Sequence, residues 1–189
     1  MPSLFFSFLR SPTKTGAIAA SSRWLARRMV EEIGLSEARV VVELGPGTGA
    51  FTGAIAAAVG PSTRFIAVEL NETFARDLSA KFPGVDVVND SAENVPSILA
   101  KRGLATADAI LCGLPWAGFP EELQERLMKG ILEGLRPGGR FATFAYLHAA
   151  WFRAAKRFRR LLETRFANVT ATRTVWRNIP PAFVYRCRK

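Results

Sequence analysis

Short apolar runs alternate along the chain with amphipathic stretches of helical period. Residues 40–44, 64–70, 85–89, 108–112, 140–146, 168–175 and 182–187 read as strands. The first, Val40-Val41-Val42 leading to Glu43-Leu44, is β-branched and apolar enough to be a buried parallel strand. Between the strands, spacing predicts helices over 51–59, from the Asn71 cap through about Phe82, over 94–102, over 121–135 behind Pro120, and over 149–164. An earlier helix, capped by Ser21 or Ser22 and running through Ile33, sets Trp24, Leu25, Met29 and Ile33 against Arg23, Arg27 and Arg28 on the opposite face. Strands and helices alternating at this length imply an α/β fold: a parallel, doubly wound sheet with ligands at the carboxyl ends of its strands.

Composition narrows the class. The 189 residues suffice for one α/β domain with a full core, and 49% are hydrophobic. No apolar run approaches the roughly 18 residues of a membrane-spanning helix. The start, Leu4-Phe5-Phe6-Ser7-Phe8-Leu9, lacks the basic leader and cleavage site of a signal peptide, so cytoplasmic residence is expected. If helical, residues 2–10 are apolar around most of their circumference and must dock, either on their own protein or on a membrane interface. Cys112, Cys187 and the single histidine, His148, form no metal-ligand spacing, which argues against a metal and against Ser-His or Cys-His catalysis.

Charge is unevenly placed. Residues 1–40 carry a net +3, residues 41–135 a net −5 and residues 136–189 a net +12. A basic end on a near-neutral core suits an anionic partner, either lipid head groups or nucleic acid, although an arginine-rich proteome would also place arginines at exposed sites. In the stretch 149–164, Phe152, Ala155, Phe158 and Leu162 make one face and Arg153, Lys156, Arg157 and Arg160 another.

The chemistry centres on Glu43-Leu44-Gly45-Pro46-Gly47-Thr48-Gly49. Three glycines at alternate positions leave no side chains in the turn, so a ligand must approach its backbone closely. Ala50 and Phe51 stand where a nucleoside-triphosphate loop needs Lys and Ser or Thr, and Glu43 would repel a pyrophosphate. A carboxylate there suits a ligand with a cationic amino-acid end. Glu69, before Leu70 at the second strand end, can accept from both hydroxyls of a ribose. Asp90 at the third can accept from an adenine amine, with Ser91 and Ala92 as backbone and small wall. Together these describe S-adenosylmethionine.

Through VVELGPGTGAF, AVEL, NDSAE and CGLPW, residues 40 to about 146 resemble the class I S-adenosylmethionine-dependent methyltransferases. That resemblance implies a Rossmann-like sheet of seven strands with the last antiparallel, a methyltransferase domain over 36–189, and residues 1–35 as a helical membrane or substrate lid. It also brings Gly113 into the cofactor set, and S-adenosylhomocysteine as product. FLRSPTKTGAIAASSRWLARRM and VWRNIPPAFVYRC resemble bacterial phospholipid N-methyltransferases, which methylate phosphatidylethanolamine stepwise. The core also resembles ribosomal RNA adenine dimethyltransferases, but Gly113 stands where those carry an amide, and Lys189 leaves no room for their small helical domain. The expectation is therefore a phospholipid N-methyltransferase, peripheral on the inner face of the membrane, with an RNA or small-molecule methyltransferase, or a non-catalytic lipid- or RNA-binding protein that retains the cofactor fold, as the alternatives. Leu114, Pro115, Trp116 and Tyr146 would orient the amine, and Arg177, Asn178 and Tyr185 would bind the lipid, Arg177 through its phosphate.

Overall fold

The computed structural model describes residues 21–189. The apolar segment 2–10 lies outside the described residues. Seven strands form one sheet: β1 (Val40–Leu44), β2 (Arg64–Glu69), β3 (Asp86–Asn89), β4 (Ala107–Cys112), β5 (Leu135–Tyr146), β6 (Asn168–Ala171) and β7 (Ala182–Arg188). Their spatial order is β3-β2-β1-β4-β5-β7-β6. Strands β1 to β5 pair in parallel, whereas β7 runs antiparallel to both of its neighbours. The last strand in sequence is thus the reversed one.

Side-chain alternation along β1 divides the molecule into two layers. Val42 and Leu44 face a core shared with α4 (Val95–Ala100), α5 (Glu121–Gly134) and α6 (Arg153–Arg165), which supply Ile98, Met128, Ile131 and Leu162. Val41 faces the other core, with Leu25 and Met29 of α1 (Arg23–Val30) and Ile55 of α2 (Thr52–Ala58). Helix α3 (Glu72–Lys81) lies beside α2, its Leu78 against the glycine turn. Full burial of each Leu or Met stabilises the fold by about 1.5–3 kcal/mol, which is why the apolar stripe of α1 fixes it on the sheet.

Ser22 caps α1, its Oγ accepting from the Leu25 amide at 3.2 Å. The helix stops at Val30, short of Ile33, because Glu32 and Gly34 turn the chain at φ +58° and +68°. Leu25, Met29 and Ile33 share one core with Val41, Ala109 and Val184. Strand β5 begins earlier than expected: Leu135 pairs with Ala107 and Arg140 with Ala109, so Arg136, Pro137, Gly138 and Gly139 bulge out between them. Strand β6 is shorter than 168–175, and α6 starts at Arg153 behind the 3-10 turn Leu147–Trp151.

Candidate active site

Parallel pairing brings the carboxyl ends of β1, β2, β4 and β5 to one edge of the sheet, and antiparallel β7 starts from that same edge. The chain leaves β1 through Gly45, Gly47 and Gly49, at φ +67°, +55° and +83°, values that L side chains rarely tolerate. The three glycines meet different surroundings. A β-carbon at Gly45 would come within 2.5 Å of Leu114 Cδ2, and one at Gly49 within 2.7 Å of Phe82, so Gly49 serves close packing against α3. A β-carbon at Gly47 would meet nothing within 4 Å, which leaves this part of the turn open to a ligand. Gly113 is dictated by the turn itself, since a β-carbon there would lie 2.7 Å from the Gly45 carbonyl oxygen.

Glu43 is fully buried, and neither of its carboxylate oxygens has a hydrogen-bond partner among the described residues. Thr52 Oγ1 is likewise buried and unpartnered. Burial pushes the Glu43 carboxyl up to about 8; the nearby Thr52 hydroxyl, outside hydrogen-bond geometry, opposes the shift, and the charge of Glu69 adds to it. Orphaned buried polar atoms beside an open backbone cradle fit a ligand that carries a cation.

Glu69 is held by two amides, Gly47 N–H donating to Oε2 and Asn71 N–H to Oε1, both at 2.9 Å. Each oxygen keeps a second lone pair, so the carboxylate can still accept from a diol. Leu70 is exposed at the rim, its carbonyl accepting from Asn89 Nδ2 at 3.0 Å. Asp90 Oδ1 accepts from Ser91 N–H at 2.7 Å and from Asn94 Nδ2 at 2.8 Å, leaving Oδ2 with no protein partner among the described residues. Ser91 caps the short turn Ala92–Asn94 through its hydroxyl, and Ala92 is buried beneath it.

On the acceptor side three of the expected residues are buried. Trp116 is buried, its Nε1–H donating to Thr143 Oγ1 at 3.1 Å and its ring stacked on Phe158 at 4.5 Å, so its face is covered and it anchors the 114–119 turn from below. Gln124 of α5 fastens the same turn, its Nε2 donating to the carbonyls of Trp116 and Phe119. Tyr185 is buried in the α4–α6 layer against Phe158 and Phe183. Asn178 is buried and structural, its Oδ1 accepting from Ser22 N–H at 2.9 Å and its Nδ2 donating to the Pro180 carbonyl at 2.7 Å.

Leu114 and Pro115 are half-buried beside the turn; their carbonyls already accept from Trp116 and Gly118 amides and keep one lone pair each. Cys112 offers no nucleophile, because burial pushes its thiol up to about 12. Tyr146 is half-buried at the end of β5, where burial raises its hydroxyl above the usual tyrosine range. It continues an aromatic line that sequence reading missed: Phe51 packs edge-on to Phe144 at 5.5 Å, Phe144 on Tyr146 at 5.3 Å, and Tyr146 stacks on His148 at 5.7 Å. Period-two alternation, which sets Phe144 on the Tyr146 face, was the available signal. Arg177 is exposed, its guanidinium 4.7 Å from the Trp24 ring centroid.

Among the described residues no group of three His, Cys, Asp or Glu could hold a metal ion, and no helix is long and apolar enough to cross a membrane.

A doubly wound sheet with a reversed final strand, and a glycine turn beside a buried acid, define the class I methyltransferases. Comparisons with known proteins agree. A family model described as a methyltransferase domain matches residues 41–139. Ornithine lipid N-methyltransferase of Singulisphaera acidiphila is 38% identical over 184 residues, spanning 96% of this chain and 92% of that protein. Among solved structures, the O-methyltransferase TomG of Streptomyces achromogenes in complex with SAM superposes with a TM-score of 0.70 at 19% identity, over 97% of this chain and 88% of that one. An O-methyltransferase of Bacillus cereus in complex with SAH gives 0.72 at 15% identity, over 97% and 90%. The chain belongs to the class I S-adenosylmethionine-dependent methyltransferases, and S-adenosylmethionine is its cofactor.

Proposed function

We propose that this chain transfers methyl groups from S-adenosylmethionine to the amine of a membrane lipid, phosphatidylethanolamine and its mono- and dimethyl forms included, while bound to the inner membrane surface. The observation that carries this reading is the extent of the match to ornithine lipid N-methyltransferase. It covers 96% of the chain and so reaches both ends, outside the 41–139 region that builds the cofactor half. Acceptor choice belongs to those ends. Ornithine and ethanolamine head groups both offer an amine a short way from an anion, a carboxylate in one and a phosphate in the other, so one recognition chemistry serves either.

In this reading Glu43 takes the cationic amino-acid end of the cofactor, Gly47 leaves room for its approach, Glu69 takes the ribose hydroxyls, and Asp90 with Ala92 takes the adenine. Bound there, S-adenosylmethionine supplies an electrophilic methyl group. The chain's own work is to bring an unprotonated amine into line with it. Alignment of two bound reactants contributes about 7–11 kcal/mol toward such a barrier. The free lone pairs of the Leu114 and Pro115 carbonyls orient the amine, and Tyr146 presents a ring that favours its cationic product.

Membrane contact is supported by four large side chains at the same rim: Trp151, Phe152, Trp176 and Ile179 are 78%, 61%, 72% and 84% exposed. The two segments that carry them lie side by side, since Leu147 N–H donates to the Pro181 carbonyl at 2.8 Å. Arg153 and Arg177 flank these knobs, combining apolar insertion with attraction to anionic head groups. Expression in a host without methylated lipids tests the function. Lipid mass spectrometry should show amine lipids heavier by successive methylene increments, absent with Glu43→Gln; an unchanged lipid profile despite soluble, cofactor-binding protein would overturn it.

A further inference from the structure

Beside α1 a groove of about 460 Å³ opens between the helix and the link after β6. Trp24, Arg27, Arg28 and Glu31 line one wall, and Trp176 and Arg177 the other. Its volume lies within the range of small-ligand sites.

The charges in it do not balance. Glu31 is shared, approached by Arg27 at 3.1 Å, Arg28 at 3.4 Å and Arg186 at 3.8 Å. Arg23 and Arg177 have no carboxylate within ion-pair distance among the described residues. Instead both guanidiniums lie over the Trp24 ring, 4.9 and 4.7 Å from its centroid. Stacking holds a guanidinium by its face and leaves its N–H edges free, and those edges match the oxygens of a phosphate or carboxylate.

The link is held in place for this. Asn178, next to Arg177, ties it to the first turn of α1 through the Ser22 amide. Trp176 stands exposed at the lip, a large amphipathic ring suited to head-group depth. Arg177 lines the groove and Arg23 does not, so we infer that this groove binds the anionic group, phosphate or carboxylate, of a lipid head group, with Arg177, stacked on Trp24, as its donor. The inference rests on the reading of this chain as a lipid-modifying enzyme, and names the part of the surface that recognises the lipid's anion.

The test separates the two. Full-length protein is sedimented with vesicles of phosphatidylcholine, with and without phosphatidylglycerol, which is anionic but has no amine to methylate. Wild type should favour the anionic vesicles, and Arg177→Gln should lose that preference by about fivefold while binding S-adenosylmethionine unchanged. Arg177→Lys keeps the charge but lacks the planar fork, and should lose nearly as much; full retention by the lysine variant would mean diffuse attraction and overturn the site. Binding of inorganic phosphate through Arg177 by a wild type that shows no preference for the anionic vesicles would assign the groove to free phosphate and overturn the lipid assignment. A protein that binds these vesicles through Arg177 yet methylates no lipid amine keeps the groove and loses the proposed function. One that methylates lipid amines, with vesicle binding indifferent to Arg177, keeps the function and loses the groove.

Discussion

A carboxyl group buried with neither oxygen hydrogen-bonded costs a fold stability once it ionises, and Glu43 is such a group. Its folded value of about 8 lies above the ordinary 4.5, so the folded state keeps the proton to higher pH than the unfolded chain does. The contribution of Glu43 to the stability of the cofactor-free protein is therefore full below about pH 4.5 and falls by about 1.4 kcal/mol per pH unit until pH 8, where its loss is complete. Thermal melts should show this slope, and Glu43→Gln should flatten it. A cationic ligand end favours the carboxylate, so binding of S-adenosylmethionine at pH 7 should release a proton, seen as a binding heat that varies with the ionisation enthalpy of the buffer. Gly113 yields a second expectation. A β-carbon there meets the Gly45 backbone, which has no flexible end to yield, so Gly113→Ala should shift the turn at a cost of about 1–3 kcal/mol and weaken cofactor affinity tenfold or more by calorimetry. Gly113 came only through the resemblance, but the placement of Glu43 was legible in the sequence because its cause is local: an acid at a strand end, with a glycine turn after it. Tyr185, Trp116 and Asn178 were not. Which face of β7 carries Tyr185 follows from pairing with β5 and from the layer packed there, and Trp116 turns inward only because Thr143, 27 residues on, offers an acceptor.

At the scale of elements, periodicity located every described strand and helix, and the errors concentrate where tertiary partners decide the ends. Helix α1 stops early because Glu32 takes a left-handed turn next to Arg186, which bonds both Glu31 and Glu32. The bulge at Arg136–Gly139 merges a predicted turn into β5, since Leu135 finds Ala107 before the turn begins. The link after β6 read as a substrate loop, yet its Asn178 joins two elements 156 positions apart. Asn178→Ala should leave the Ser22 amide and the Pro180 carbonyl unpaired and destabilise the protein by about 1–3 kcal/mol in denaturant titration. It should also raise amide exchange along residues 176–181.

For the whole molecule, the two halves of the sheet divide the labour. The β1–β4 half builds the cofactor cradle, with the acidic balance of residues 41–135 around it. The β5–β7 half, with α1 and α6, carries the basic charge and the exposed aromatic rim at the same edge. One edge can thus hold a cationic cofactor on one side and meet an anionic lipid surface on the other. Transfer of labelled methyl groups from S-adenosylmethionine by the purified protein, offered vesicles carrying phosphatidylethanolamine, vesicles carrying ornithine lipid, and RNA, tests this directly. The label should enter amine-bearing lipid and leave RNA blank; label in RNA, or in neither lipid, would contradict the account.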